Sequence, residues 1–543
     1  MIKISRTSGT WVCGIFLTCN FNFVFADVVS DTERVLNWLE ITNPQIFSSH
    51  PTTQTSIEPW LFRHYPEAGV YAGINKNDNG AYAIGGPWGS APVLIDSLSN
   101  LVSQIPAGRW LGVKPVFQQT AQFFDNLEVA ISANGDAVAV WLETDSDISV
   151  NSVWAVHYNA TTNVWSAPSL LDSGAQNAYE PKVAMDTYGN AMVVWMQKQI
   201  EGINTEQQKT VVSAWAARFQ ANSGWEAAVL LKNENPSDGG GFPQSDVAMD
   251  NMGNAVVIWS QRIDVQSFIY ANRYIIGRGW GTAKFIDLDI PDQVDASFNP
   301  KVAINNNGDA IAVWSSINTS NIRVSHYQPG SDTWDSSPRE LGPGVQPEIA
   351  ISDSGSAVVV APARISLADS FQVAAWHYNP NNGWDPTVKI LDQGHVEEAR
   401  SFVRVAMNAR GNAVASWSQL DSSGSVSAFT NYFENGQWGT PTTIEANNAV
   451  EVVNQGVEVG LDSSGRAFAV WRQEAQNGSS QNNWASIRQA GTSQWDANSL
   501  ATVPGSMTEP RLAVSSTGRA IAVWLHSDER SNTGRYLVAN QFK

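Results

Sequence analysis

Val183-Ala-Met-Asp-Thr-Tyr-Gly-Asn-Ala-Met-Val-Val-Trp195 recurs almost unchanged as Val247-Ala-Met-Asp-Asn-Met-Gly-Asn-Ala-Val-Val-Ile-Trp259, and the chain restates this phrase eight times. Its glycines are Gly135, Gly189, Gly253, Gly308, Gly355, Gly411, Gly465 and Gly518, spaced 47 to 64 residues apart. A period of that length with strand-like patterning denotes stacked copies of one small sheet. Within each copy a short strand A (Val129–Ile131, Val302–Ile304, Val405–Met407) leads into a polar turn carrying the glycine. Asp or Asn opens that turn by accepting backbone N–H groups, and the glycine takes the left-handed position, so the unit is a hairpin with a bulge.

Strand B follows as Ala255–Trp259, Ala310–Trp314 or Ala520–Trp524. It is apolar on both faces, with Ala and Trp on one side and larger aliphatics on the other. Such a strand must be covered on both sides. Strand C is more amphipathic (Val153–Tyr158, Val373–Tyr378), and strand D begins at a second tryptophan, as in Trp225-Glu-Ala-Ala-Val-Leu-Leu. Four antiparallel strands per repeat, each sheet covered by its neighbours, describe the blade of a β-propeller. The D-type tryptophans are Trp110, Trp165, Trp225, Trp280, Trp334, Trp384, Trp438 and Trp495, which again makes eight. The order begins with a D strand at Trp110–Phe117 and ends with a C strand at Tyr536–Phe542 that lacks its own D. Pairing the two closes an eighth blade and hides both sheet edges. The expected fold is therefore all-β, an eight-bladed propeller of four-stranded antiparallel blades over residues 106–543, with seven or nine blades as the fallback count.

Residues 1–26 read as a secretory signal: Lys3 and Arg6, an apolar stretch from Val12 to Phe25, and a small-residue cleavage site at Ala26. Both cysteines, Cys13 and Cys19, fall in this segment, so the mature chain has no disulfide or thiol chemistry. Its removal takes away two positive charges and moves the formal net charge from -19 to -21. So acidic a chain, lacking a basic cluster, disfavours nucleic acid and anionic lipid as partners. No later stretch is apolar for long enough to insert in a membrane. The expectation is a secreted or periplasmic monomer.

Residues 27–105 stand outside the repeat. Thr32–Glu40 has helical spacing, with Val35, Leu36 and Leu39 on one face. Strand-like runs follow at Trp60–Tyr65, Val70–Ile74 and Ala81–Ile84, then an aliphatic segment at Val93–Leu101. The blocks Leu36-Asn-Trp-Leu-Glu, Pro44-Gln-Ile-Phe47, Phe62-Arg-His-Tyr-Pro66, Gly69-Val-Tyr-Ala-Gly73 and Ala81-Tyr-Ala-Ile-Gly-Gly resemble, in order, a small α+β module found near the N-termini of secreted proteobacterial proteins. That resemblance implies a fold for residues 32–101 and no activity. The remainder resembles bacterial β-propeller repeat proteins of unassigned function.

The candidates for chemistry each meet a structural rival. His157, His326 and His377 each precede a tyrosine at one point of strand C and lie in different blades, which makes them repeat-determined strand residues. Asn75-Lys-Asn-Asp-Asn-Gly80 mimics half a calcium loop, but Gly86 stands where a bidentate Glu belongs, so a polar turn is the better reading. A lone Asp in each repeat turn (Asp186, Asp250, Asp462) bonds its own backbone and needs no ion. No metal and no cofactor is expected. Sialidase boxes space Asp, Gly and Trp differently, and quinone-dependent alcohol dehydrogenases need paired cysteines that are absent here. Neither family is supported.

The strand-B tryptophans (Trp141, Trp195, Trp259, Trp314, Trp417, Trp471, Trp524) could stack on sugars, but one large ring per blade is also how blades wedge together. Two residues further on, the side chain is often polar. Gln197, Gln261, Gln419 and Gln473, with the adjacent Lys198 and Arg262, are the candidate ligand contacts. The longest inserts, Glu201–Thr210 and Asn233–Ser245, flank the same region, and long loops on a rigid scaffold are where binding resides. The expected function is an exported binding or adhesion scaffold recognising glycan or protein through one loop face. A polysaccharide-acting hydrolase or lyase is the alternative, and it would need acids converging in the channel. Glu180, Asp246, Glu348, Glu458 and Glu509, near the A-strand starts, are the available ones.

Overall fold

The computed structural model describes residues 110–119 and 123–543, apart from the inter-strand segments 146–149, 173–176, 202–208, 233–243, 264–265, 288–295, 366–370, 393–399, 421–425, 446–449, 453–455, 476–480, 501–505 and 528–534, together with Gly108 and six earlier strands. Contacts divide the chain into two compact units: Met1–Gly112 with Phe542–Lys543, and Val113–Gln541. In the first, Ile2–Thr7 and Thr10–Ile15 pair as a hairpin, and Phe62–Tyr65, Val70–Lys76, Tyr82–Gly85 and Val93–Ile95 form an antiparallel sheet in sequence order. The helical pattern over residues 32–40 and the Asn75–Gly80 turn (in part) lie outside the described residues.

From Trp110 onward the chain is an eight-bladed β-propeller, each blade an antiparallel sheet in the order A-B-C-D. Blades 1 to 8 are numbered by their B strands: Ala137–Asp145, Ala191–Glu201, Ala255–Ile263, Ala310–Ser316, Ala357–Ala363, Ala413–Leu420, Ala467–Ala475 and Ala520–Ser527. Strand Trp110–Gln119 pairs with Arg535–Phe542, so the eighth blade takes its outer strand from before the first repeat. The local packing bears this out. In blades 1 to 6 the D-strand tryptophan lies against an aromatic of its own C strand, for example Trp165 on Tyr158 at 5.2 Å and Trp384 on Tyr378 at 5.2 Å between ring centroids. Trp110 repeats that contact with Phe542 at 5.7 Å, and Gly108 N–H donates to the Lys543 carbonyl at 3.0 Å.

The two-faced B strand packs as its composition demands. Ala137, Ala139 and Trp141 of blade 1 lie with Ile521, Val523 and Leu525 of blade 8, while Val138, Val140 and Leu142 lie with Ala191, Val193 and Trp195 of blade 2. At these two seams the face that ends in tryptophan thus receives the aliphatic face of the preceding blade. Six of the strand-B tryptophans are fully buried (0 % exposed) and Trp524 is 1 % exposed, so they serve as wedges between blades and offer no ring to a ligand. All eight turn glycines have φ between 84° and 96°, where any Cβ is strained. An Asp or Asn opens and caps the turn in five blades, and Ser132, Ser352 and Ser515 open it in blades 1, 5 and 8. In blade 2 the Asp186 carboxylate accepts the N–H groups of Tyr188 and Asn190, each at 2.9 Å. Turn-to-turn contacts run on across the seam, where the Thr517 hydroxyl donates to the Ala133 carbonyl at 2.6 Å.

Strand D differs from the expected continuous run in most blades. It is two short pieces, such as Gly224–Trp225 and Val229–Lys232, both pairing with one C strand. The residue after the tryptophan still donates its own N–H to strand C, and in blades 1 and 4 its side chain takes a further C-strand donor: Ser166 Oγ accepts His157 N–H at 3.0 Å, and the Asp335 carboxylate accepts His326 N–H at 2.9 Å.

Candidate functional site

The A strands of successive blades touch around the axis, and the last touches the first. In each, the residue just before the Val-Ala-Met segment carries a charge: Glu128, Lys182, Asp246, Lys301, Glu348, Arg404, Glu458 and Arg511. Read around the propeller, the sign alternates at every step, including the step from blade 8 back to blade 1. Four carboxylates and four cations therefore close into one neutral ring.

A bulge aims these side chains inward. The residue two positions earlier adopts a left-handed φ in several blades: 53° at Asn126, 41° at Glu180, 51° at Asn299, 49° at Gln346 and 98° at Gly456. The strand register shifts between Asp125 and Glu128, between Tyr179 and Lys182, and between Phe298 and Lys301. A bulge of this kind re-aims the side chain that follows it.

The ring is hydrogen-bonded along most of its circumference. Lys182 Nζ donates to Glu128, Lys301 Nζ lies 3.0 Å from Glu348, and Arg404 bridges Glu348 at 3.3 Å and Glu458 at 3.1 Å. Arg511 lies 2.6 Å from Glu458 and donates through Nε to the Leu127 carbonyl at 2.9 Å, which ties blade 8 to blade 1. Asp246 differs, its carboxylate accepting Val302 N–H at 2.9 Å.

Burial raises the Glu128 carboxyl, but the Lys182 and Arg511 charges outweigh it and hold the group at about 2. Burial likewise pushes Glu458 up, and Arg404 and Arg511 more than compensate, leaving it below the usual range. Asp246, by contrast, is raised by burial. The depressed groups stabilise the fold above the ordinary glutamate value of 4.5, and that stability is lost as the pH falls toward about 2. Protonation of Asp246 works in the opposite direction. The melting temperature is therefore expected to fall steadily below pH 4.5 in the native protein and less steeply in a Glu128→Gln variant. Thermal unfolding at half-unit pH steps checks this, and parallel slopes would refute the assignment.

The acids expected near the A-strand starts fall into two sets. Asp246, Glu348 and Glu458 belong to the ring. Glu180 and Glu509 lie two residues earlier, and Glu509 pairs with Arg472 at 2.9 Å. The cations at the same register were not singled out by sequence, although the strict alternation of sign at one repeat position is the signal that reveals them.

The candidate ligand contacts sit where strand B ends beside the start of strand A. Lys198 N–H donates to the Asn177 carbonyl at 2.8 Å. Gln197, Gln261, Gln419 and Gln473 are all buried. Gln197 accepts the Trp195 indole N–H at 3.2 Å and Gln419 accepts that of Trp417 at 2.7 Å, while Gln261 donates to the Val212 carbonyl of blade 2 at 3.2 Å. Lys198 and Arg262 are half-buried beyond them. Gln197 with Lys198 and Gln261 with Arg262 occupy the adjacent blades 2 and 3. Gln419 and Gln473 lie in blades 6 and 7, on the far side of the ring. The central parts of the two long inserts, 202–208 and 233–243, lie outside the described residues.

The histidines are inter-blade contacts. His157 lies against Phe219 at 4.5 Å and His326 against Tyr378 at 4.4 Å. Burial lowers both imidazoles. Among the described residues no group of three or more His, Cys, Asp or Glu side chains is arranged to hold a metal ion.

Together these features define the class: an eight-bladed β-propeller whose channel is lined by a self-neutralising ring of charge. No family model matches the chain, and no curated protein matches it. Among solved structures it is similar to a protein of unknown function from Dyadobacter fermentans, at 11% identity over 81% of this chain and 100% of that one, with a TM-score of 0.41. It is also similar to the Dos1 propeller, at 7% identity over 79% and 95% with a TM-score of 0.44. A polysaccharide lyase of family PL25, an ulvan lyase, matches at 11% identity over 78% and 95% with a TM-score of 0.39. The likeness is one of fold.

Proposed function

We propose that this chain is an exported binding scaffold that recognises glycan or protein through the face where the B strands end and the A strands begin. The observation that carries this reading is the ring. Three of its four carboxylates, Glu128, Glu348 and Glu458, are engaged by cations, which suits them to closure of the channel, and the fourth, Asp246, stands without a second carboxylate free to act with it. Binding then falls to the loop face, where blades 2 and 3 carry the longest inserts and present Lys198 and Arg262 on a base stiffened by Gln197 and Gln261. Two cations on such a base favour acidic groups.

A Lys198→Ala/Arg262→Ala double variant is expected to lose at least about tenfold in affinity, the scale of one or two charge-assisted hydrogen bonds, with the melting temperature almost unchanged. The probe is a panel of neutral and acidic oligosaccharides titrated by calorimetry. If the native protein binds an acidic member and the double variant binds it equally well, the site lies elsewhere. If no member is bound, the glycan reading fails and a protein ligand is the remaining case.

A further inference from the structure

We propose that Ser356, His377 and Asp385 of blade 5 form a nucleophilic relay, and that the groove beside them, between blades 5 and 6, hydrolyses carboxylic esters. Ser356 follows the turn glycine Gly355, His377 lies on strand Gln372–Asn379, and Asp385 follows Trp384. Strand pairing sets Val358, two residues beyond Ser356, opposite His377. Ser356 Oγ lies 3.0 Å from His377 Nε2, and His377 Nδ1 lies 3.1 Å from the Asp385 carboxylate.

Those two distances settle the roles. A carboxylate only accepts, so the imidazole proton sits on Nδ1. Nε2 then carries the lone pair and accepts the Ser356 hydroxyl proton. Nucleophile, base and orienting group stand in sequence within hydrogen-bond reach, the arrangement that activates a serine.

The repeat makes the comparison internal to the molecule. At the position of Ser356 the other blades carry Asp, Asn or Arg, none of which offers a hydroxyl. The histidine of blade 4, His326, is occupied differently: its Nε2 accepts the Trp384 indole N–H at 3.2 Å, and Asp335 is spent on a backbone N–H. Blade 1 carries Asp136, His157 and Ser166 at the same three positions, but there the Ser166 hydroxyl accepts the His157 backbone N–H, so among the described residues blade 5 is the one whose serine hydroxyl meets an imidazole nitrogen.

A groove of about 400 Å³ opens beside the imidazole, lined by His377, Asp385, Thr387, Lys389, Phe433 and Trp438. Its lining is more polar than apolar, so a short acyl group fits beside Phe433 and Trp438, and the Lys389 ammonium suits an electron-rich leaving group. The reaction balances with water alone. Ser356 Oγ attacks the ester carbonyl carbon as its proton passes to Nε2. The carbonyl-to-alkoxide bond breaks, and the departing oxygen takes the proton from Nε2. Water then repeats the sequence on the acyl-serine and releases the acid.

Ser356 lies at the turn end of strand B, the opposite end from the proposed binding face, so the two readings fail separately. The test treats the full chain with a fluorophosphonate and maps the adduct by peptide mass spectrometry, with p-nitrophenyl acetate hydrolysis measured in parallel. The expected result is a single adduct on Ser356 that vanishes on heat denaturation and in Ser356→Ala. Hydrolysis should fall by roughly 100-fold or more in His377→Gln. Asp385 is a positioning residue, so Asp385→Asn should slow turnover and shift the limb of the pH–rate profile that reports the imidazole. An unlabelled Ser356 in the folded protein, or a folded Ser356→Ala variant that hydrolyses the ester at the native rate, overturns the proposal.

Discussion

Arg404→Glu is expected to be among the most destabilising single charge changes in this protein. Arg404 stands between two carboxylates, donating to Glu458 at 3.1 Å and to Glu348 at 3.3 Å, and it also donates to its neighbour's carbonyl, that of Val403, at 3.1 Å. Removing one partner of a buried pair costs about 3–5 kcal/mol, because the partner left behind keeps its desolvation penalty. Arg404→Ala is expected at the lower end of that range, since the ring is partly open to water. Arg404→Glu adds like-charge repulsion on both sides and should exceed it. Arg404→Lys keeps the charge but loses the fork that spans two acceptors, and about 1–2 kcal/mol is expected. Denaturant unfolding of the three variants checks the order. If Arg404→Glu stays within about 1 kcal/mol of the native protein, the ring contributes no closure energy.

Deleting Trp110–Gln119 is expected to be more damaging still. Val116 and Phe117 pack on the cluster that joins blades 8 and 1, and Phe117 stacks on Trp141 at 6.4 Å. Losing these two side chains and Trp110 forfeits roughly 5 kcal/mol at about 1.5–3 kcal/mol for each large apolar group. The loss also bares the edge of Arg535–Phe542, and an unpaired strand edge recruits another chain. A lower melting temperature together with concentration-dependent association is the expected outcome, read by calorimetry and light scattering. A deletion variant that stays monomeric with the native melting temperature would contradict closure by the first strand. A smaller loss is expected from Phe117→Ala, which keeps the edge paired and separates packing from edge exposure.

The propeller was legible because its information is local and repeated. A glycine that must hold positive φ, an Asp, Asn or Ser three residues before it, and a strand apolar on both faces are each set by backbone sterics and burial. Eight copies then set the blade count, and Trp110 announced by its place in the order that it belonged to the last blade. The strand-B tryptophans read correctly as wedges for the same reason. Strand D was less legible, because it breaks after the tryptophan whether the next residue is Ser166, Asp335, Gly281 or Gly439, so no residue type there signals the interruption.

The channel shows where sequence reading stops. Asp246, Glu348 and Glu458 could be picked out as acids near the A-strand starts, yet whether they were free or engaged depended on residues about 50 positions away in the chain. Only closure brings Arg404 between Glu348 and Glu458, and only the bulges at Asn126, Glu180 and Asn299 turn the ring residues inward. The buried glutamines and the Ser356–His377–Asp385 relay belong to the same category. What the sequence by itself determined is the repeating unit, its strand order and its number, since these follow from short-range backbone preference and burial. What only the tertiary structure decided is the state of every polar group. A charge becomes a closure element or a reactive group according to what lies within about 3 Å of it, and that distance is set by the curvature of the whole ring.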